Sequence, residues 1–128
     1  MRNFASQDYT IKAVRASAIL TNSYVAGTDI ENAWKYSQLI LYVNFTIGSL
    51  TSAEIKVEFS NDDSTYIQET FSSVSGGTST DTVGEHTFTA TGKYRIAIPI
   101  KDNYIRISAK GTGTVTSSLM TIDAVLGV

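Results

Sequence analysis

The chain has no cysteine, one proline and one histidine among its 128 residues. The absence of cysteine excludes disulfides, zinc–thiolate centres, iron–sulfur clusters and thiol catalysis, so packing or assembly must hold the fold together. The single histidine, His86, is the only candidate for the usual general base at neutral pH, and we interpret it as structural. No G-x-S-x-G motif accompanies it. We therefore expect no catalytic residues and a protein that is not an enzyme.

Motifs for metals and cofactors are also missing. Asp62 and Asp63 could offer oxygen ligands to calcium, but their surroundings lack the ligand spacing of an EF-hand loop, which favours a plain turn. Residues 111–113, GTG, lack the third glycine and the following helix of a dinucleotide-binding fingerprint, and predict a hairpin loop. A carboxylate pair for glycoside hydrolysis would draw on Glu54 and Glu58, which alternation puts on a solvated strand face. We predict no metal and no cofactor.

Neither sign of charge dominates the chain. Ten basic and twelve acidic residues give a net charge of −2, and the basic residues are scattered, so we expect no nucleic-acid partner. The apolar runs are too short to cross a bilayer, which indicates that the protein has no membrane partner. The N-terminus lacks the apolar region of a secretory signal peptide. We expect a soluble protein that is synthesised in a cytoplasm.

Apolar and polar residues alternate along much of the chain. In residues 54–59, EIKVEF, the side chains of Ile55, Val57 and Phe59 share one face and charged side chains share the other. This period of two is typical of a half-buried antiparallel strand. Residues 38–46 are apolar on both faces in their first half, which predicts a central strand that is covered on both sides.

Similar patterns predict roughly eight short strands separated by turn residues. An all-β fold follows, namely a two-sheet antiparallel β-sandwich with either a jelly-roll or an immunoglobulin-like topology. A chain that is 42% hydrophobic at this length suits one core. We predict a single β-sandwich domain over residues 9–128, preceded by a polar N-terminal arm, residues 1–8. Strands are predicted near residues 9–20, 38–46, 54–59, 66–71, 85–90, 93–100, 104–109 and 114–125.

Two stretches do not fit the strand pattern. Residues 21–36 contain the only tryptophan and are compatible with one helical turn or a structured crossover. Residues 72–84 are polar and glycine-rich, which predicts a long loop that either moves freely or grips a partner.

Aromatic residues in polar, irregular surroundings are candidates for contact with a partner. Three of them lie in the first stretch, and the N-terminal arm adds one aromatic and one basic residue. The predicted contact residues are Arg2, Phe4, Tyr24, Trp34 and Tyr36.

Three segments carry a resemblance to a known class of proteins. LILYVNFT at residues 39–46, EIKVEFSND at 54–62 and YIRISA at 104–109 resemble small β-sandwich auxiliary or decoration proteins of tailed bacteriophages. The resemblance extends over roughly residues 16–127. It implies a non-enzymatic virion protein that decorates or cements the capsid exterior after synthesis in the host cytoplasm. Its implied partners are the major capsid protein or another virion protein, and a homo-oligomer is compatible with it.

Two alternatives stay open. The turn FSNDD at residues 59–63 is similar to the Ser-x-Asp-Gly hairpin of discoidin-type carbohydrate-binding domains, which would imply a glycan ligand. In this chain Asp63 stands where that pattern has glycine, and residues 65–66 lack its usual tryptophan. A head-completion or tail component of the virion would share the predicted fold and differ in location.

Overall fold

The computed structural model of the protein describes residues 9–83 and 85–128, so the predicted arm, with Arg2 and Phe4, lies outside the described residues. A 3₁₀ helix, Ala33–Lys35, accompanies the strands, and no helix of the described part is long and apolar enough to cross a membrane. The strands of the described residues are β1 (Tyr9–Ala18), β2 (Val25–Ala26), β3 (Gln38–Thr46), β4 (Leu50–Ser60), β5 (Ile67–Gln68), β6 (Thr70–Ser75), β7 (Thr78–Val83), β8 (His86–Phe88), β9 (Gly92–Pro99), β10 (Tyr104–Gly113) and β11 (Leu119–Gly127).

Two antiparallel sheets enclose the hydrophobic core. The four-stranded sheet has the order β1-β11-β3-β9, and the five-stranded sheet has the order β2-β10-β4 with β5 and β8 along the outer edge of β4. Alternate residues of both sheets point inward, and their side chains form one buried cluster. This confirms the predicted two-sheet antiparallel sandwich. Representative core residues are Leu41, Phe45, Ile55, Val57, Ile107 and Ile122.

The strand order distinguishes between the two predicted topologies. Strands β1 to β4 alternate between the sheets, as do β8 to β11, and the last strand lies between β1 and β3. An immunoglobulin-like sandwich instead pairs several consecutive strands within one sheet. The arrangement seen here is the double Greek key of a jelly roll. Connections therefore gather at the two ends of the sandwich.

The jelly-roll strand at the outer edge of β4 is divided in two by an inserted hairpin. Strands β5 and β8 pair with different parts of the same edge of β4, and the chain between them forms β6 and β7, which pair with each other. The turn between them is made by Gly76 and Gly77, both with positive φ, as a two-residue hairpin turn requires. The prediction of a loop over residues 72–84 is therefore wrong. Serine and threonine made the segment look like a loop, although threonine is well suited to strands.

Residues 111–113 also differ from the prediction, because they end strand β10 and do not form a hairpin loop. A Cβ atom on Gly111 would lie 2.7 Å from Cδ2 of Leu50. A larger residue at this position would have to displace the leucine side chain, which lies against the backbone of β10.

The predicted solvated face of β4 is buried at Glu54, which is only 5% exposed. Its carboxylate accepts hydrogen bonds from the hydroxyl groups of Ser52 and Thr112, each at 2.6 Å. Alternation showed which face of the sheet carries the side chain but could not show that Thr112 of the neighbouring strand β10 would supply a hydroxyl partner.

Candidate interaction surfaces

Trp34 lies at one end of the sandwich, where the loops of residues 27–37, 61–66 and 100–103 meet; we call this region the Trp34 end. The Trp34 side chain is 68% exposed. Its backbone N–H donates a hydrogen bond to Oδ1 of Asn103 at 3.4 Å, and the preceding residue, Ala33, is fully buried. The anchored helical turn therefore holds the indole ring outward into solvent.

Tyr36 follows the same helical turn but faces differently. Its side chain is partly buried and packs against the hydrophobic core. The structure thus places two predicted contact residues, Trp34 and Tyr36, at the same end, with the tryptophan directed outward and the tyrosine supporting the loop.

An ionic and aromatic cluster braces the Trp34 end. The guanidinium of Arg106 donates two hydrogen bonds to the carboxylate of Asp29, at 3.1 and 2.9 Å, and lies 3.9 Å from the ring centre of Tyr66. The Tyr66 hydroxyl in turn donates to Asp63. The hydrogen bond to Asp29 raises the pKa of Arg106, while burial and the hydrogen bond to Asp63 raise the pKa of Tyr66. Both groups keep their protons at physiological pH, so the cluster ties two of the loops together.

Strand β1 and the loop of residues 27–37 enclose two hollows at this end. Their volumes are about 140 and 230 Å³, and they share the side chains of Lys12, Ile30, Glu31 and Asn32. The shared lining contains both signs of charge and an amide, which suits hydroxyl groups better than a strongly charged ligand. Sequence reasoning missed the hollows, because β1 and this loop are far apart along the chain.

Tyr24 lies elsewhere, on the outer face of the five-stranded sheet. The ammonium groups of Lys56 and Lys110 lie 4.7 and 4.9 Å from its ring centre, so the ring makes a cation–π contact with each lysine. Lys110 is seven residues from Asn103 along an extended segment, or about 23 Å. The structure therefore places Tyr24 far from Trp34 and Tyr36. The ring of Tyr24 contacts two lysine side chains of the same chain.

An apolar row crosses the outer face of the four-stranded sheet. Register pairing aligns Ile11 of β1, Val125 of β11, Ile40 of β3 and Ala97 of β9. Ile11 is 63% exposed, Ala97 is exposed, and the other two side chains are partly exposed. The sequence predicted that β3 would be covered on both faces. Among the described residues, none covers its outer face, so this prediction is wrong for the described part of the chain. A row of this kind across a whole sheet is typical of an interaction surface.

The acidic turn after β4 behaves as a structural turn. Oδ1 of Asp62 accepts hydrogen bonds from the backbone N–H groups of Ser64 and Thr65, both at 2.9 Å, and these bonds lower the pKa of the carboxyl. Within residues 9–83 and 85–128, no group of three or more potential ligands that could hold a metal ion is found.

His86 predicts a pH dependence of stability. It is half-buried on β8, and burial lowers its pKa below the ordinary 6.5. Because the unfolded chain takes up this proton at a higher pH than the folded chain, the free energy of unfolding should fall as the pH drops through 6.5. Urea unfolding between pH 8 and 5.5 measures this. The variant His86→Gln should lack this part of the slope, and an identical slope in both proteins would contradict the assignment.

Comparison with solved structures shows a likeness in fold. The sequence matches no family of known proteins and none of the curated proteins. Among solved structures, the chain is similar to the crystal structure of the PBSX exported protein XepA, with a TM-score of 0.64 and 8% sequence identity. The likeness covers 100% of this chain and 39% of the XepA chain. At this identity it concerns the fold alone, so the chain shares its β-sandwich fold with part of a phage protein.

Proposed function

We propose that the chain is a non-enzymatic structural protein of a phage virion that decorates or cements the capsid exterior. The observation that carries this proposal is the exposed Trp34 side chain on a braced end of the sandwich. Tryptophan is enriched among the residues that dominate protein interfaces. Loops that are already ordered lose little conformational entropy on binding, so a braced tryptophan is well suited to this use.

Two further observations support a virion role. The fold is shared with part of the phage protein XepA, and three segments of the sequence resemble phage decoration proteins. In this proposal the partner is the major capsid protein or another virion protein, and the protein is located on the capsid surface. Neither a catalytic residue nor a cofactor is required.

The proposed mechanism is mass action. A protein that binds the assembled shell but not dissociated subunits stabilises the shell by about 2.7 kcal/mol per site at a free concentration 100 times the dissociation constant. Strand β1 begins at the Trp34 end, because Tyr9 pairs with Gly127 and the backbone N–H of Ser37 donates to the Gly127 carbonyl. Arg2 and Phe4 lie outside the described residues, and we keep them as proposed contacts of the N-terminal arm.

Cosedimentation with otherwise complete capsids that lack the protein tests this function. We expect saturable binding in proportion to the number of capsid subunits, together with greater resistance of the shells to heat. Binding of only a few copies per particle would instead support a head-completion or tail component. Absence of binding would contradict the proposal.

A carbohydrate-binding module is the second candidate, and the hollows beside the Trp34 end favour it. Lys12, Glu31 and Asn32 line both hollows and could bond the hydroxyl groups of a sugar. The exposed indole, which lines neither hollow, could stack on a further ring of an oligosaccharide. Because Trp34 is the only tryptophan, its fluorescence reports binding directly. Titration with chito-oligosaccharides and with polysaccharide from the host surface should change the emission saturably if this function is correct. The Asn32→Ala variant should then bind more weakly.

A further inference from the structure

The outer faces of the two sheets differ in whether their charged side chains form ion pairs within the chain. On the five-stranded sheet, Lys56 pairs with Glu58 at 3.7 Å and Arg106 pairs with Asp29 at 2.9 Å. On the four-stranded sheet, the apolar row lies open and no comparable pairing occurs among the described residues. The outer face of the four-stranded sheet is therefore the better candidate for contact with a partner.

A charged row lies next to the apolar row on the same face. Tyr42 of β3 is 44% exposed and pairs in register with Asp123 of β11 on one side and with Arg95 of β9 on the other. The acidic and basic side chains are thus about 10 Å apart, on either side of β3. Neither forms an ion pair in the described part of the chain.

We propose that two copies of the chain associate face to face through the four-stranded sheet, with a two-fold axis along β3. In this arrangement β9 of one copy lies opposite β11 of the other, and β3 lies opposite β3. Each row of one copy faces the same row of the other. It sets Ile40 against Ile40, Val125 against Ala97, and Asp123 against Arg95 of the other copy. Each opposite-charge pair then forms twice. A two-fold interface requires such self-complementarity, and two sheets packed face to face interdigitate in this way.

The size of the face sets the strength of the association. With the axis along β3, the strands β11, β3 and β9 of each copy overlap, and β1 with Ile11 lies beyond them. Three strands span about 14 Å and the two rows with their neighbours span about 20 Å, so each copy contributes on the order of 300 Å² of flat area. This is below the area of most stable complexes and corresponds to a weak, reversible dimer. We expect a dissociation constant in the micromolar range.

Sedimentation equilibrium from low micromolar to near-millimolar concentration, without capsids, tests the dimer. The variants Asp123→Arg and Arg95→Asp should each raise the dissociation constant by about tenfold or more, because each puts like charges opposite each other twice. The double variant should recover most of the association, since it restores opposite charges. A matched control is Thr87→Lys, an exposed position on the outer face of the five-stranded sheet, which should dimerise as the wild type does.

Circular dichroism and thermal unfolding establish that each variant is folded, and Ile40→Lys provides an independent disruption of the apolar row. The proposal is overturned if the wild type stays monomeric at the highest concentration, if both single reversals associate normally, or if the double variant fails to recover. Because no capsid is present, these outcomes are independent of the proposed virion function.

Discussion

Replacement of Trp34 by alanine is expected to weaken binding to capsids by about thirtyfold or more, equivalent to about 2 kcal/mol. The physical reason is that the backbone that carries the indole is already held in place, so the apolar area of the ring is buried on binding without the cost of ordering the loop. The fold should tolerate the change, because the side chain is 68% exposed and its backbone hydrogen bond to Asn103 is unaffected.

Binding isotherms from cosedimentation measure this effect, with thermal unfolding as the check on folding. Ile19→Ala is the matched control, because Ile19 is also an exposed apolar side chain, at 52%, but lies after β1 at the opposite end of the sandwich. It should bind as the wild type does. Equal losses in the two variants would show that the Trp34 end is not the contact surface.

Replacement of Phe45 by alanine is expected to lower the free energy of unfolding by about 3–5 kcal/mol. Phe45 of β3 is fully buried, and its ring centre lies 6.3 Å from that of Phe88 of β8. The ring centre of Phe88 lies 4.6 Å from that of Tyr94 of β9, so these aromatic side chains connect the two sheets. Removal of the first ring leaves a cavity at this junction and could unfold a marginally stable domain.

Urea unfolding at neutral pH and low protein concentration measures the difference. Tyr42→Ala is the control, because Tyr42 is on the same strand but on the outer face, 44% exposed. We expect this variant to lose less than about 1 kcal/mol. Comparable losses at the two positions would contradict the assignment of inner and outer faces.

The class of fold could be predicted from the sequence because alternation is a local property. Ile55, Val57 and Phe59 are buried on one face of β4, as their spacing of two residues indicates. The sequence also singled out Trp34 from its irregular, polar surroundings, and its side chain is exposed. The same criterion selected Tyr36, which packs against the hydrophobic core. The split of one strand position by the β6–β7 hairpin was not predictable, because serine and threonine are common in both loops and strands.

The surfaces formed by several strands could not be predicted in the same way. The apolar row depends on which strands are neighbours, and Ile11, Ile40, Ala97 and Val125 are spread over most of the chain. The sequence did show that β3 has apolar residues on its outer face. This pattern predicted that the face is covered, but it could not show which surface covers it. Glu54 shows the same limit, since its hydroxyl partner Thr112 is 58 residues away along the chain.

Cryo-electron microscopy of capsids saturated with the purified protein would show directly whether it decorates the shell. We expect jelly-roll density at repeated positions over the outside of the shell, with the Trp34 end directed toward the capsid subunits. Density confined to a single vertex or to the tail, or shells that remain bare at saturating concentration, would contradict it.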